Sequence, residues 1–214
     1  EAVARHFAGD EHCMVLRNGW FSYRWTEILE MGRDLAKSHT VCKAVPCIDS
    51  SKDHTQYRPA PVQDVCNLIY KERPAVFFCP HVETSTIAKA VHSVGGLMVL
   101  DCIASGTVWV DMKQTGVDVL ISAPQKGWTG PPCAGLVMMS QAAVDKMATK
   151  SETSFSLSLK RWTAIMDAYE KGGFAYHTTM PTDALRDFHE VTVETLKVGL
   201  PALKEAQLSL GAQA

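Results

Sequence analysis

Short apolar runs alternate along the chain with segments whose apolar residues recur every three or four positions, the pattern of strands interleaved with helices. The opening EAVARHFAG reads as a helix, and Gly9-Asp10 turns it into a strand over 12–16. After NGWFSYRW, the residues Trp25, Ile28, Leu29, Gly32 and Leu35 share one face of a second helix. A strand is expected over 40–45, ended by Pro46, and the polar stretch DSSKDHTQYRPAP reads as a loop. Pro61 then opens a helix in which Val62, Val65, Cys66 and Ile69 recur at helical spacing.

Four further strands are expected at 75–79 (AVFFC), 97–101 (LMVLD), 117–122 and 134–139, with a short helix over 87–94 closed by Gly95-Gly96. Strands that are apolar on both faces and separated by helices predict an α/β fold: a mainly parallel sheet covered by helices on both faces. Ligands of such sheets bind at the carboxyl ends of the strands, so the polar residues just after each strand carry the interest. From Ser140 the pattern changes. QAAVDKMATK, SETSFSLSL, KRWTAIMDAYEKGG and the irregular FAYHTTMPT lead to a long helix over 183–200, interrupted at Pro201, and a last helical run. The expected organisation is a large unit over 1–180 and the beginning of a second over 181–214.

Length and composition narrow the function classes. The 214 residues suffice for a sizeable core, and 46% hydrophobic with 21% charged residues are ordinary globular values. A net charge of −2, with no Lys/Arg stripe interleaved with aromatics, argues against a nucleic-acid surface. No apolar run approaches the roughly 20 residues that span a bilayer. The seven scattered cysteines (13, 42, 47, 66, 79, 102 and 133) are odd in number and lack a CxxC. They read as buried thiols of a reducing, cytoplasmic compartment, and Cys79-Pro-His81 lacks the second ligand pair a metal site needs. Because the chain opens on Glu1 in mid-helix and fades out in LSLGAQA, a piece cut from something longer is expected at both ends.

The strand ends hold the candidate chemistry. Strand 75–79 delivers CPHVETST, strand 97–101 delivers Asp101, and strand 117–122 delivers SAPQKGW with Lys126. A lysine and a carboxylate so placed suit pyridoxal phosphate, which needs an amine to hold its aldehyde and an acid to keep its pyridine nitrogen protonated. The lysine must lose its proton to act, which desolvation favours, and Ala123, Pro124 and Trp128 are expected to supply apolar surroundings. Each residue alone has an ordinary reading: Lys126 as a solvated loop lysine, Asp101 as a loop cap. His81 and Glu83 read as residues that fix the loop after their strand, and Trp162 with SFSLSL as packing.

VLDCIASG followed by GVDVLISAPQKGW, with CPHVETST upstream, resembles the class V (fold type I) pyridoxal-phosphate aminotransferases, closest to the alanine/serine–glyoxylate group. The resemblance extends from NGWFSYRW to YHTTMPTDALR and implies the fold type I large domain. It implies Lys126 as the Schiff-base lysine and Asp101 as the partner of the pyridine nitrogen, these two being the catalytic pair. Phe21 would stack on the cofactor ring, with Trp20 as an alternative. Thr84 would approach the ring oxygen, Ile103 the opposite face, and Gln125 the phosphate. Tyr176 and Thr179 match residues lent to the phosphate of a neighbouring subunit, which implies a homodimer.

The match also departs from the family pattern. The family's glycine- and serine-rich phosphate turn would precede Glu1, its carboxylate-binding arginine would follow Ala214, and HVETST runs into Ile87 without the family's glycine and extra loop. The implied reaction moves an amino group from alanine or serine to glyoxylate. Alternatives are a ureidoglycine–glyoxylate or aminoethylphosphonate–pyruvate transaminase, a lyase or desulfurase of the same fold, or a non-catalytic dimerising fragment.

Overall fold

The apolar runs become the inner strands of one sheet. A computed structural model describes residues 1–32, 35–47 and 55–213. Helix α1 (Ala2–Phe7) leads into β1 (His12–Leu16), and a short 3-10 turn (Trp20–Ser22) leads into α2 (Tyr23–Met31) and β2 (Ser38–Cys42). Next come β3 (Val45–Pro46), β4 (Tyr57–Arg58), α3 (Val62–Glu72), β5 (Val76–Pro80), α4 (Ser85–Ser93) and β6 (Leu97–Asp101). The chain continues through α5 (Met112–Thr115), β7 (Val119–Ser122), β8 (Leu136–Met139), α6 (Gln141–Thr149), α7 (Leu159–Glu170), α8 (Thr182–Val198) and α9 (Leu200–Gly211).

The large sheet has the order β2-β1-β5-β6-β7-β8. Every neighbouring pair is parallel except β7 with β8, which run antiparallel at the edge. This is the mainly parallel fold type I arrangement that the sequence predicts. Alternation along β5 divides its side chains: Val76 and Phe78 enter one core, Phe77 and Cys79 the other. The first core is closed by α1, α2, α6 and α7 through Phe7, Trp25, Met147 and Leu159. The second is closed by α3 and α4 through Val65, Ile69, Ile87 and Val91.

Local differences have plain causes. The strand expected over 40–45 divides, because β2 pairs with β1 while β3 turns away to pair with β4. Leu35 lies beyond the end of α2, which stops at Gly32, yet it is buried in the first core. The expected loop at 49–61 contains β4, and its residues 49–54 lie outside the described residues. The break expected at Pro201 falls two residues earlier: Gly199 (φ 93°) ends α8, and proline sits in the first turn of α9, where no intrahelical N–H is needed.

A buried carboxylate ties the two cores together. Asp118 is 5% exposed and accepts hydrogen bonds from the Met98 N–H (2.8 Å) and the Ser140 hydroxyl (3.1 Å), with His92 Nε2 at 2.8 Å. Ser140 in turn caps α6. Asp118→Ala strips acceptors from a fully buried N–H and from the cap, so it should cost about 2–3 kcal/mol. Urea unfolding followed by circular dichroism measures this, and a loss under ~0.5 kcal/mol would show the network to be dispensable.

Candidate functional site

Strands β1, β5, β6 and β7 are adjacent and parallel, so the loops that leave their carboxyl ends crowd one edge of the sheet. Phe21, Thr84, Asp101, Ile103, Gln125 and Lys126 all belong to these loops or strand ends. Asp101 pairs in register with Pro80 on one side and Ile121 on the other, and Lys126 follows Ile121 by five residues. The loops of β6 and β7 also touch, since a Cβ on Gly127 would collide with the backbone of Gly106. The sheet therefore brings the Asp101 and Lys126 segments side by side.

Asp101 is half-buried, and its Oδ1 accepts the Ile103 N–H at 3.0 Å. Burial pushes its carboxyl above the ordinary aspartate range, while hydrogen bonds from Ile103 and from the Trp25 indole, with the Arg24 charge farther off, hold it down. Trp25 owes its position to the core: it is 3% exposed and stacks on Phe78 with ring centroids 4.6 Å apart. Between the ordinary aspartate value and the raised native one, the native chain binds more protons than the unfolded chain. The contribution of Asp101 to stability therefore falls as pH rises through that window. Asp101→Asn should gain stability relative to the parent at pH 7 compared with pH 4, as measured by urea midpoints. A difference that does not depend on pH would contradict this account.

Lys126 is exposed, and its side chain makes no hydrogen bond or ion pair among the described residues. This departs from the expected apolar enclosure. Ala123 and Pro124 are buried and Trp128 is half-buried, so the loop packs them inward and turns Lys126 outward. Gln125 beside it is also exposed.

Phe21 is 54% exposed and Trp20 84%, with the Arg24 guanidinium 5.7 Å from the Phe21 ring. Thr84 is buried at the start of α4, where its side chain makes no cap hydrogen bond. Ile103 is half-buried beside Asp101. Tyr176 and Thr179 join each other (Oη to Oγ1, 3.2 Å) on the exposed segment between α7 and α8, without a hydrogen bond to the strand-end residues. That segment packs on SFSLSL: His177 Nε2 meets the Phe155 carbonyl at 2.8 Å, and the Trp162 indole donates to Ser156 O at 2.8 Å.

His81 and Glu83 fix their loop. Glu83 accepts the Thr86 N–H, and His81 Nδ1 lies 2.7 Å from Ser105 Oγ. Burial, followed by the Lys204 charge, pushes the His81 imidazole below its ordinary value. Two residues with a part at this edge are given no role there by the sequence. Trp25 reads only as a helix-face aromatic, and Asn18, whose Nδ2 reaches the Pro80 and His81 carbonyls at 3.4 Å, is not singled out. Burial raises the Cys13 thiol to about 12 and the Cys102 thiol to about 11, so neither is a ready nucleophile.

The residues present fit the ring end of pyridoxal phosphate. A half-buried carboxylate held by two neutral donors is a natural acceptor for a pyridinium N–H, and an unpaired primary amine stands on the neighbouring loop.

No protein-family profile matches the chain. Among curated proteins it is 28% identical over 177 residues to the alanine–glyoxylate aminotransferase of Oryctolagus cuniculus, covering 78% of this chain and 42% of that protein. It is 30% identical over 136 residues to the 2-aminoethylphosphonate–pyruvate transaminase of Syntrophobacter fumaroxidans, covering 59% and 36%. Among solved structures, the alanine–glyoxylate aminotransferase of Nostoc sp. superposes with a TM-score of 0.76 at 19% identity, over 95% of this chain and 52% of that one. The ureidoglycine–glyoxylate aminotransferase of Bacillus subtilis gives 0.74 at 22% identity, over 95% and 51%. The chain spans about half the length of these structures and less than half of the curated relatives.

Proposed function

We propose that this chain, whose relatives and structural neighbours are class V aminotransferases, is the cofactor-binding portion of a pyridoxal-phosphate-dependent transaminase. The reaction proposed moves the amino group of a small amino acid, alanine or serine, to glyoxylate. One observation carries the reading: Asp101 and Lys126 leave adjacent parallel strands at the same edge, the carboxylate half-buried and the amine unpaired.

When bound, the cofactor supplies an electron sink for bond changes at the substrate's α-carbon. The Asp101 carboxylate holds a proton on the pyridine nitrogen, and Trp25 and the Ile103 N–H keep that carboxylate oriented. Lys126 Nζ holds the cofactor and moves a proton at the substrate's α-carbon. Phe21 supplies an exposed aromatic face, Ile103 an apolar contact, and Thr84 and Gln125 polar ones. Tyr176 and Thr179 serve the site of a second copy in a homodimer. Residues 1–180 form the cofactor unit in this reading, and 181–214 begin the next.

Incubation of the full chain with pyridoxal phosphate, alanine and glyoxylate tests the assignment through pyruvate formation. Turnover of 2-aminoethylphosphonate with pyruvate in place of that pair would replace the substrate while keeping the cofactor chemistry. Failure to bind the cofactor at all would remove both.

A further inference from the structure

Asp101 and Lys126 stand on separate loops, so their relative placement depends on what joins the loop after β6 to the loop after β7. A backbone contact joins them. A Cβ on Gly127 would collide with the carbonyl of Gly106, so the two chains touch with no room for a side chain between them. Gly106 itself lies in the left-handed region (φ 60°), and a Cβ there would strike the Gln207 side chain. Gly127, Gly106 and Gln207 are therefore stacked in direct contact, the first next to Lys126 and the last on α9.

Gln207 is held by chemistry that an amide supplies at both ends. Its Oε1 accepts the Thr107 N–H at 2.5 Å and lies 2.8 Å from the Thr107 hydroxyl, while its Nε2 donates to the Ser105 carbonyl at 3.2 Å. The two ends cannot be exchanged, because an N–H needs an acceptor and a carbonyl needs a donor. The Thr107 hydroxyl also lies 2.9 Å from the Leu203 carbonyl. Ser105 extends the junction to a third loop, since its Oγ is 2.7 Å from His81 Nδ1. Along α9, Leu200, Leu203, Lys204 and Gln207 are half-buried and the other residues are exposed. Gln207 thus ends the stripe by which this helix rests on the loop, and its amide carries the side-chain hydrogen bonds of that stripe.

We infer that Gln207 is a positioning residue for the site: its side-chain amide fixes the loop after β6, and the Gly106–Gly127 contact passes that constraint to Lys126. The inference deepens the transaminase reading and rests on it. Gln207 acts through the two glycines and not on the reacting atoms. A helix of the unit that begins at residue 181 thereby sets the spacing between a carboxylate and an amine carried by the other unit. The plainer reading is a docking bond that only holds α9 down, and the two differ in what happens at Lys126.

The test uses the full chain with Gln207→Met, which keeps the length and loses both hydrogen bonds, and Gln207→Glu, which keeps the acceptor and loses the donor. Amide hydrogen exchange by mass spectrometry should quicken about tenfold over residues 105–107 in Gln207→Met, the worth of one good hydrogen bond. It should also quicken about threefold over 126–130, whose turn is closed by Thr129 N–H to Lys126 O and Gly130 N–H to Pro124 O, while β1 and β5 keep parental rates. Gln207→Glu should match Gln207→Met at about pH 8 and return to the parental rates at about pH 5, where a protonated carboxyl again donates to the Ser105 carbonyl. Comparison with the parent at the same pH cancels the titration of His81. Mixed with pyridoxal phosphate at about pH 8, both variants should bind about tenfold more weakly than the parent and shift the pH midpoint of the absorbance band.

Faster exchange confined to 105–107 would overturn the positioning role and leave the transaminase reading in place. So would affinity and midpoint equal to those of a parent that shows the band. A parent that forms no band would remove that reading and the positioning role with it. If Gln207→Met unfolds, Gln207→Glu compared between the two pH values decides the matter.

Discussion

Lys126→Ala should end covalent retention of pyridoxal phosphate while leaving the chain folded. The side chain is exposed and unpaired, so its removal belongs to surface changes that shift stability by no more than about 0.5 kcal/mol. Its nitrogen, in contrast, is the primary amine of the β7 loop, the group an imine with the cofactor's aldehyde carbon requires. The parent mixed with the cofactor should develop a visible absorbance band, and borohydride should then fix the label to the peptide containing residue 126. The alanine variant should show neither. Any transamination should fall by at least the ~10²–10⁴-fold typical of a lost proton-transferring group. Lys126→Arg should behave like alanine, because charge without a free amine cannot replace the nucleophile. A band of parental strength in Lys126→Ala would dismiss the central assignment.

Phe78→Ala should produce the largest loss of stability, about 3–5 kcal/mol. The ring is fully buried and stacked on Trp25 in the middle of the first core, where a cavity cannot easily collapse. For a chain of this size each kcal/mol lowers the melting temperature by roughly 2–4 °C, so a fall on the order of 10 °C is expected. The effect should also reach the site, because Trp25 carries the indole that holds Asp101. Phe78→Leu should recover much of the melting temperature but not the stack, and cofactor affinity should remain below that of the parent. Full recovery of affinity in Phe78→Leu would show that Trp25 does not need the ring to be oriented.

The two predictions rest on different layers of the molecule, and the layers differ in how far the sequence reveals them. The runs HCMVL, VFFC and LMVLD are apolar on both faces and bounded by turn residues, which is enough to specify buried parallel strands. Strand β1 and strand β6 begin and end where the pattern places them. Amphipathic spacing likewise marks α3, whose Val65, Cys66 and Ile69 are buried. That Asp101 and Lys126 follow strands is therefore legible from periodicity alone, because hydrophobic burial acts locally along the chain.

Adjacency is another matter. That β6 and β7 are neighbours, that Trp25 reaches Asp101, and that Lys126 turns outward while Pro124 turns inward depend on packing between segments far apart in sequence. The same holds for Asp118 joining His92, Met98 and Ser140, and for Gln207 clamping α9 across a hundred residues. Hydrogen-bond partners of this kind leave no periodic trace, since one polar residue in a pattern is compatible with many partners. The sequence by itself determined the alternation of elements, the burial of the strands and which polar residues stand at their ends. Only the tertiary structure decided which of those ends meet, because twist and strand order bring them together and no local preference encodes either.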